Sequence, residues 1–303
     1  MNTPDPNVAP NPFSPLFLDH FESKEIVSST NGHTYRINVQ LPLGYRDSDE
    51  TYPVLYALDA EFLFGMQALI PFVLDAGGVT PKLIIVGPAY GTSTPAELLA
   101  TRERDYTPSA DPERPGSGGG REFLGFLEKD VIPFVETSYR ARPEQRALWG
   151  YSLGGLFALY ALFTRPGLFH AYLATSPSLW WHGGVLLDIE ERYAARHRDL
   201  PARLFTSVGA LEGADPYVKP WTRLTSTLRG REYKGFELRP RMLDGHGHFS
   251  GFASSYVEGL MTLFGTGTER TDGFGMHRIR PADADRTSES RSRQAPDTLE
   301  PIA

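Results

Sequence analysis

Hydrophobic positions in this chain alternate between two patterns. Short apolar runs typical of buried strands are each followed by apolar residues at the spacing of one helix face. The predicted strands are Val54–Leu58, Leu83–Val86, Arg146–Trp149, Ala171–Ala174, Leu204–Val208 and Phe236–Met242. The predicted helices are Phe62–Asp75, Arg121–Tyr139, Leu156–Phe163, Val185–Arg198, Val218–Leu228 and Gly251–Phe264. This alternation predicts an α/β fold with a mostly parallel sheet, helices on both faces and ligands at the carboxyl ends of the strands.

The two ends of the chain differ from this regular middle. Residues 1–15 are rich in Pro and Asn and are predicted to be flexible, whereas residues 268–303 carry charges of mixed sign and are predicted to be disordered. Near the start, Glu25–Ser29 and His33–Leu41 flank an Asn-Gly pair that is typical of a type I′ hairpin. Residues 16–267 are therefore expected to form a single α/β domain.

Composition narrows the class of protein. The chain has 303 residues, of which 40% are hydrophobic and 22% charged, as in a globular protein with a sizeable core. Its net charge of −7 argues against nucleic acid and anionic membrane surfaces as partners. It has no cysteine, which excludes disulfides and thiolate chemistry. With no signal-peptide pattern and no apolar run near the ~20 residues of a membrane span, we expect a cytoplasmic protein without membrane attachment.

Residues 150–154 read Gly-Tyr-Ser-Leu-Gly and match the G-x-S-x-G motif. The motif follows a predicted strand and opens a predicted apolar helix, which is the setting of a nucleophile elbow. A sharp turn there exposes Ser152 in a strained backbone conformation, and the flanking glycines allow close approach of neighbouring segments. The alternative is a glycine-rich turn with an inert serine, but the setting favours Ser152 as a nucleophile.

A serine hydroxyl needs a neighbouring base, and in this type of fold the order along the chain is Ser, acid, His. After the last predicted strand come His246 and His248, and sequence physics alone does not separate them. A metal site on this pair is the weaker interpretation because no third ligand is near. After the strand ending at Val208, the loop offers Glu212 and Asp215, and its position after the glycine favours Glu212.

A tetrahedral oxyanion needs two hydrogen-bond donors. One is the backbone N–H of Leu153, directly after the candidate nucleophile. The second is expected from the loop after the Val54–Leu58 strand, where Glu61 would act through its amide. Such a site requires no cofactor and no metal.

Six stretches, in this order, resemble the esterase family of α/β-hydrolases that includes enterobactin- and salmochelin-type trilactone esterases and is related to esterase D and the mycolyltransferases. They are residues 41–45, 52–59, 104–108, 150–160, 176–181 and 248–250. The resemblance runs from about Glu25 to Phe264.

The resemblance implies a catalytic role for particular residues. The family's histidine stands in an H-x-S pattern eleven residues before a Gly-Leu pair, which His248 fits and His246 does not. The family's acid falls at Glu212 and its second oxyanion amide at Glu61, although this chain has Ala60 where relatives usually carry glycine. The implied function is a serine esterase acting on a small-molecule ester. The alternatives are a siderophore trilactone esterase, an acyltransferase to an alcohol acceptor and a non-catalytic binding protein.

The substrate pocket is expected from residues around the strand ends. The segment from residue 90 to 120 should form a lid or wall of the cleft and place Arg104 there. The same cleft should be lined by Tyr151, Trp180 and Trp181. Core packing is the alternative for the tryptophans, and an ion pair with Asp105 is the alternative for Arg104. An aromatic pocket near arginines would suit aryl or catechol-type acyl groups.

Overall fold

The structure, a computed structural model, describes residues 20–92 and 94–268. The segment predicted to be flexible, residues 1–15, lies outside the described residues, as does the predicted tail apart from Thr268. All strands of the described residues belong to one eight-stranded sheet. The boundaries of a single domain at residues 16 and 267 stay a prediction.

The sheet has the order β1-β2-β4-β3-β5-β6-β7-β8. Its strands are β1 (Phe21–Val27), β2 (Thr34–Gln40), β3 (Tyr52–Ala57), β4 (Ile84–Ala89), β5 (Ala141–Tyr151), β6 (Ala171–Thr175), β7 (Asp199–Gly209) and β8 (Lys234–Leu243). Only β2 is antiparallel to its neighbours β1 and β4, and the remaining pairs are parallel. Strands β3 and β4 are buried along their whole length, which explains why their sequences are continuous apolar runs.

Helices cover both faces of the sheet. They are α1 (Ala60–Ala76), α2 (Pro95–Tyr106), α3 (Gly120–Phe126), α4 (Ile132–Ser138), α5 (Leu153–Thr164), α6 (Val185–Ala194), α7 (Lys219–Arg231) and α8 (Phe252–Phe264). Buried residues of α1 and α8 pack into a core on one face, and those of α3 to α7 pack into the larger core on the other. Helix α5 is buried from its first residue to Phe163 because it packs on β5 and β6 and against α2 and α6. This arrangement confirms the predicted α/β-hydrolase fold.

Two local predictions differ from the structure, and one helix was not predicted. The β1–β2 connection is longer than a type I′ hairpin, since Ser28 and His33 close it and only Gly32 has a positive φ there; a type I′ turn needs two such residues. The helix predicted over 121–139 contains a π-helical turn at Leu127–Val131 between α3 and α4. Helix α2 was not predicted because its mean hydropathy is low, although Thr94 forms a capping box at its start.

Candidate active site

Ser152 lies at the sharp turn between β5 and α5 with φ 59° and ψ −114°, a conformation that is strained for any residue with a side chain. The turn is tight enough that a Cβ at Gly150 would lie 2.0 Å from the carbonyl oxygen of Gly154. Glycine at position 150 is therefore a steric requirement. The turn leaves Ser152 partly exposed at the carboxyl edge of the sheet.

His248, on the loop between β8 and α8, connects Ser152 to Glu212. Its Nε2 lies 3.1 Å from Ser152 Oγ, and its Nδ1 lies 2.7 Å from Glu212 Oε2. His246 does not join this group, because its Nδ1 lies 3.1 Å from the carbonyl oxygen of Ser250. The structure thus brings together three predicted residues from the ends of β5, β7 and β8.

Glu212 is a carboxylate with a fully buried side chain and three hydrogen-bond donors. Besides His248, the backbone N–H of Gly209 and the hydroxyl of Ser176 each donate to Oε1 at 2.6 Å. Burial raises the pKa of this carboxyl, but the hydrogen bonds from His248, Ser176 and Gly209 outweigh it and hold the pKa below its ordinary value. Glu212 is therefore ionised at neutral pH and accepts hydrogen bonds only.

Asp215, the alternative acid, lies on the same loop but points away from this group. Its side chain is 65% exposed and forms an ion pair with Lys219 at 2.6 Å. An exposed pair of this kind contributes little to stability. The geometry assigns the histidine's carboxylate partner to Glu212.

Two tyrosine rings hold the His248 imidazole. Ring centroids of Tyr151 and Tyr217 lie 4.9 and 4.7 Å from it, and the Tyr151 hydroxyl donates to the His248 carbonyl oxygen at 3.0 Å. Tyr151 was predicted as a pocket residue, whereas Tyr217 was missed. Tyr217 lies in the turn before α7, and this turn places its ring against the histidine loop. Nothing in the sequence near Tyr217 predicts that contact. Phe249, beside the imidazole, is 82% exposed.

The two amides predicted for the oxyanion lie in the first turns of helices. Leu153 is the first residue of α5 and Glu61 the second residue of α1, positions whose N–H groups have no partner within the helix. The strands that precede them, β5 and β3, are parallel neighbours. Both amides therefore lie at the same edge of the sheet.

A buried ion pair joins these two turns. Arg102 donates to Asp59 Oδ1 at 2.6 Å, to Asp59 Oδ2 at 3.0 Å and to the Tyr151 carbonyl oxygen at 3.1 Å. Burial raises the pKa of the Asp59 carboxyl, and the Arg102 guanidinium offsets this only in part. Arg102 lies in the segment from residue 90 to 120 that was expected to form a lid or wall. Its contacts link residues far apart in the chain and were not predicted.

The remaining pocket predictions divide in two. Trp180 is partly exposed. The Arg114 guanidinium lies 5.5 Å from the ring centroids of both Trp180 and Trp181. Trp181, in contrast, is fully buried and donates from Nε1 to the Ser109 carbonyl oxygen at 3.1 Å, so it packs in the core and does not line the cleft. Arg104 forms a two-point ion pair with Asp105. An ion pair with Asp105 was the alternative to a substrate contact for Arg104. In the described residues, no feature indicates that Arg104 contacts substrate.

The fold and this hydrogen-bonded group are those of a serine hydrolase with an α/β-hydrolase fold. Residues 28–228 match the family described as "Putative esterase", and the chain belongs to this family. It is 32% identical to the ferri-bacillibactin esterase BesA of Bacillus subtilis over 63% of this chain and 70% of that protein. It is 34% identical to a siderophore enterobactin esterase of Emericella nidulans over 60% of this chain and 66% of that protein.

A solved structure supports the same class. The IroE-like serine hydrolase from Shewanella oneidensis superimposes with a TM-score of 0.72 at 29% identity, over 80% of each chain. The protein is therefore a serine-type carboxylic ester hydrolase. None of the helices in the described parts of the chain has the length and apolar character to cross a membrane.

Proposed function

We propose that this esterase hydrolyses an ester bond of a siderophore through an acyl-enzyme on Ser152. The observation that carries the chemistry is the unbroken chain of hydrogen bonds from Ser152 through His248 to Glu212. The substrate class rests on two relatives, which are named for a ferri-bacillibactin esterase and a siderophore enterobactin esterase.

The protonation states follow from the hydrogen bonds. Because the ionised Glu212 only accepts, the proton of neutral His248 lies on Nδ1, and Nε2 is free to accept. Nε2 removes the proton of Ser152 while Oγ attacks the ester carbonyl carbon. The carbonyl π bond opens and its electron pair moves to oxygen, where the amides of Leu153 and Glu61 donate to the developing charge.

The tetrahedral intermediate then collapses. The imidazolium of His248 gives its proton to the leaving alkoxide, the carbon–oxygen bond of the ester breaks and the alcohol departs. Water takes the place of the alcohol, loses a proton to His248 and attacks the acyl carbon. When the bond to Ser152 Oγ breaks, that oxygen recovers a proton from His248 and the carboxylic acid leaves.

Aromatic groups near the cleft suit an aromatic acyl group. Tyr217 and the exposed Phe249 lie against the His248 ring. An aryl or catechol ring can pack on such faces.

An ester panel tests both parts of the proposal. Wild type and Ser152→Ala are compared on p-nitrophenyl acetate, p-nitrophenyl butyrate and a ferric catecholate trilactone. Removal of the hydroxyl is expected to lower kcat by a factor on the order of 10⁶, as in triads that act as one unit. Near wild-type turnover by Ser152→Ala would refute the mechanism.

The same ester panel tests the substrate class separately from the mechanism. If simple esters turn over with a burst of p-nitrophenol while the ferric trilactone stays intact, the acyl-enzyme mechanism stands and the siderophore proposal is wrong. Product analysis with an added alcohol detects acyl transfer in the same samples.

A further inference from the structure

A second hydroxyl contacts the proposed nucleophile. Ser178 Oγ lies 3.1 Å from Ser152 Oγ, and the Ser178 backbone N–H donates to the Ser152 carbonyl oxygen at 3.0 Å. Ser178 is fully buried, so its hydroxyl does not hydrogen-bond to bulk solvent. In the described parts of the chain, Ser152 is the one hydrogen-bond partner recorded for the Ser178 side chain.

The segment that carries Ser178 also contacts the other end of the triad. This segment follows β6. Two residues before Ser178 is Ser176, which has a φ of 41° and whose hydroxyl donates to Glu212. The Ser176 backbone N–H donates to the Ser207 carbonyl oxygen at 2.9 Å. Residues 176 and 178 are therefore fixed by backbone hydrogen bonds to β7 and to the nucleophile turn.

The direction of the Ser152–Ser178 hydrogen bond follows from proton counting. His248 Nε2 accepts, so Ser152 gives its single proton to the imidazole. A hydrogen bond between two hydroxyl oxygens needs one proton between them. The Ser152 proton points at His248, so the proton must come from the Ser178 hydroxyl. Ser178 is therefore the donor and Ser152 Oγ the acceptor.

We propose that Ser178 is a further catalytic residue, whose hydroxyl donates to Ser152 Oγ during proton transfer to His248. This role rests on the proposed function of Ser152. Ser178 keeps its own proton throughout. Its hydrogen bond holds Oγ in the rotamer that points the serine proton at Nε2, and it strengthens as negative charge develops on Oγ. In deacylation, where Oγ is the leaving oxygen, the same donor acts again.

The test compares Ser178→Ala with Ser255→Ala. Ser255 is also fully buried in a hydroxyl–hydroxyl hydrogen bond, with Ser207, but does not contact Ser152. For Ser178→Ala we expect kcat/KM on p-nitrophenyl butyrate and the rate of fluorophosphonate labelling to fall about tenfold, the effect of one hydrogen bond to a charged oxygen. Competitive inhibition by butyrate should match wild type, whereas Ser255→Ala should keep wild-type kcat/KM.

Two outcomes would overturn the proposal. One is a Ser178→Ala protein whose kcat/KM and labelling rate lie within about twofold of wild type. The other is a loss of kcat/KM matched by equally weaker butyrate binding, which would indicate a distorted pocket. If the alanine variant does not fold, Ser178→Cys keeps the side-chain size with a weaker donor, and wild-type kinetics there overturn the proposal. An active Ser152→Ala would instead refute the proposed function itself.

Discussion

Replacing Glu212 by glutamine tests whether the carboxylate sets the proton position on His248. Gly209 and Ser176 both donate to Oε1, whereas His248 faces Oε2. A glutamine would keep its carbonyl oxygen towards the two donors and place its amide nitrogen against His248 Nδ1. That nitrogen only donates, so Nδ1 must accept and the imidazole proton moves to Nε2, where it blocks proton removal from Ser152.

The structure separates the glutamine from the alanine variant. Glu212→Gln keeps two of three hydrogen bonds unchanged and should lower kcat/KM by about 10⁴, the effect of a wrong histidine tautomer in other triads, with a smaller loss of stability than alanine. Glu212→Ala removes the acceptor of all three donors. Leaving the buried Gly209 and Ser176 donors unpaired should cost about 1–3 kcal/mol each. The imidazole remains between Tyr151 and Tyr217 and can adopt either tautomer, so alanine should be the more active variant.

The assay is kcat/KM on p-nitrophenyl butyrate at pH 7–8, together with urea unfolding of both variants and wild type. The expected order is opposite in the two measurements, with glutamine the more stable and alanine the more active. A glutamine variant that is more active than alanine would refute the tautomer argument, and equal stability of the two would refute the hydrogen-bond accounting.

Two further predictions concern buried charges. Arg102→Met should lower the free energy of unfolding by about 3–5 kcal/mol in urea titrations, because it leaves Asp59 buried and unpaired; a loss below about 1 kcal/mol would contradict this. Because the folded-state pKa of Glu212 lies below its ordinary value near 4.5, its ionised form stabilises the fold above that pH. The stability advantage of wild type over Glu212→Gln should shrink as the pH falls below about 4.5, as unfolding midpoints would show. An advantage that grows as the pH falls below about 4.5 would reverse the assigned sign.

Much of the site could be predicted because the fold converts order along the chain into proximity. In a parallel sheet the carboxyl ends of the strands share one edge, so residues that follow β5, β7 and β8 are close in space. Periodicity placed the carboxyl ends of those strands to within two residues, although β5 and β7 each begin five residues earlier than predicted. The predicted ends make Ser152, the 212–215 loop and the histidine loop neighbours. The precise side chain was harder, since His246 and His248 are separated by one residue but point in different directions.

Contacts between distant segments could not be predicted in this way. Ser176, Ser178, Tyr217 and Arg102 join the site through loops and a helix whose paths depend on packing. Residues 176–181 lie in a stretch that resembles the esterase family, but no local pattern predicts these contacts. Trp181 shows the converse, because its position after a strand suggested the cleft while packing turned the ring into the core.

Apolar periodicity and glycine placement by themselves determined the α/β alternation and the strained turn at Ser152, because these depend on local sterics and on burial of each element's apolar side. Tertiary structure alone decided that Glu212 faces inward while Asp215 pairs with Lys219. It also decided that Ser178 contacts Ser152. The physical reason is that side-chain direction on a loop depends on what the loop packs against, and that neighbour is supplied by another part of the chain.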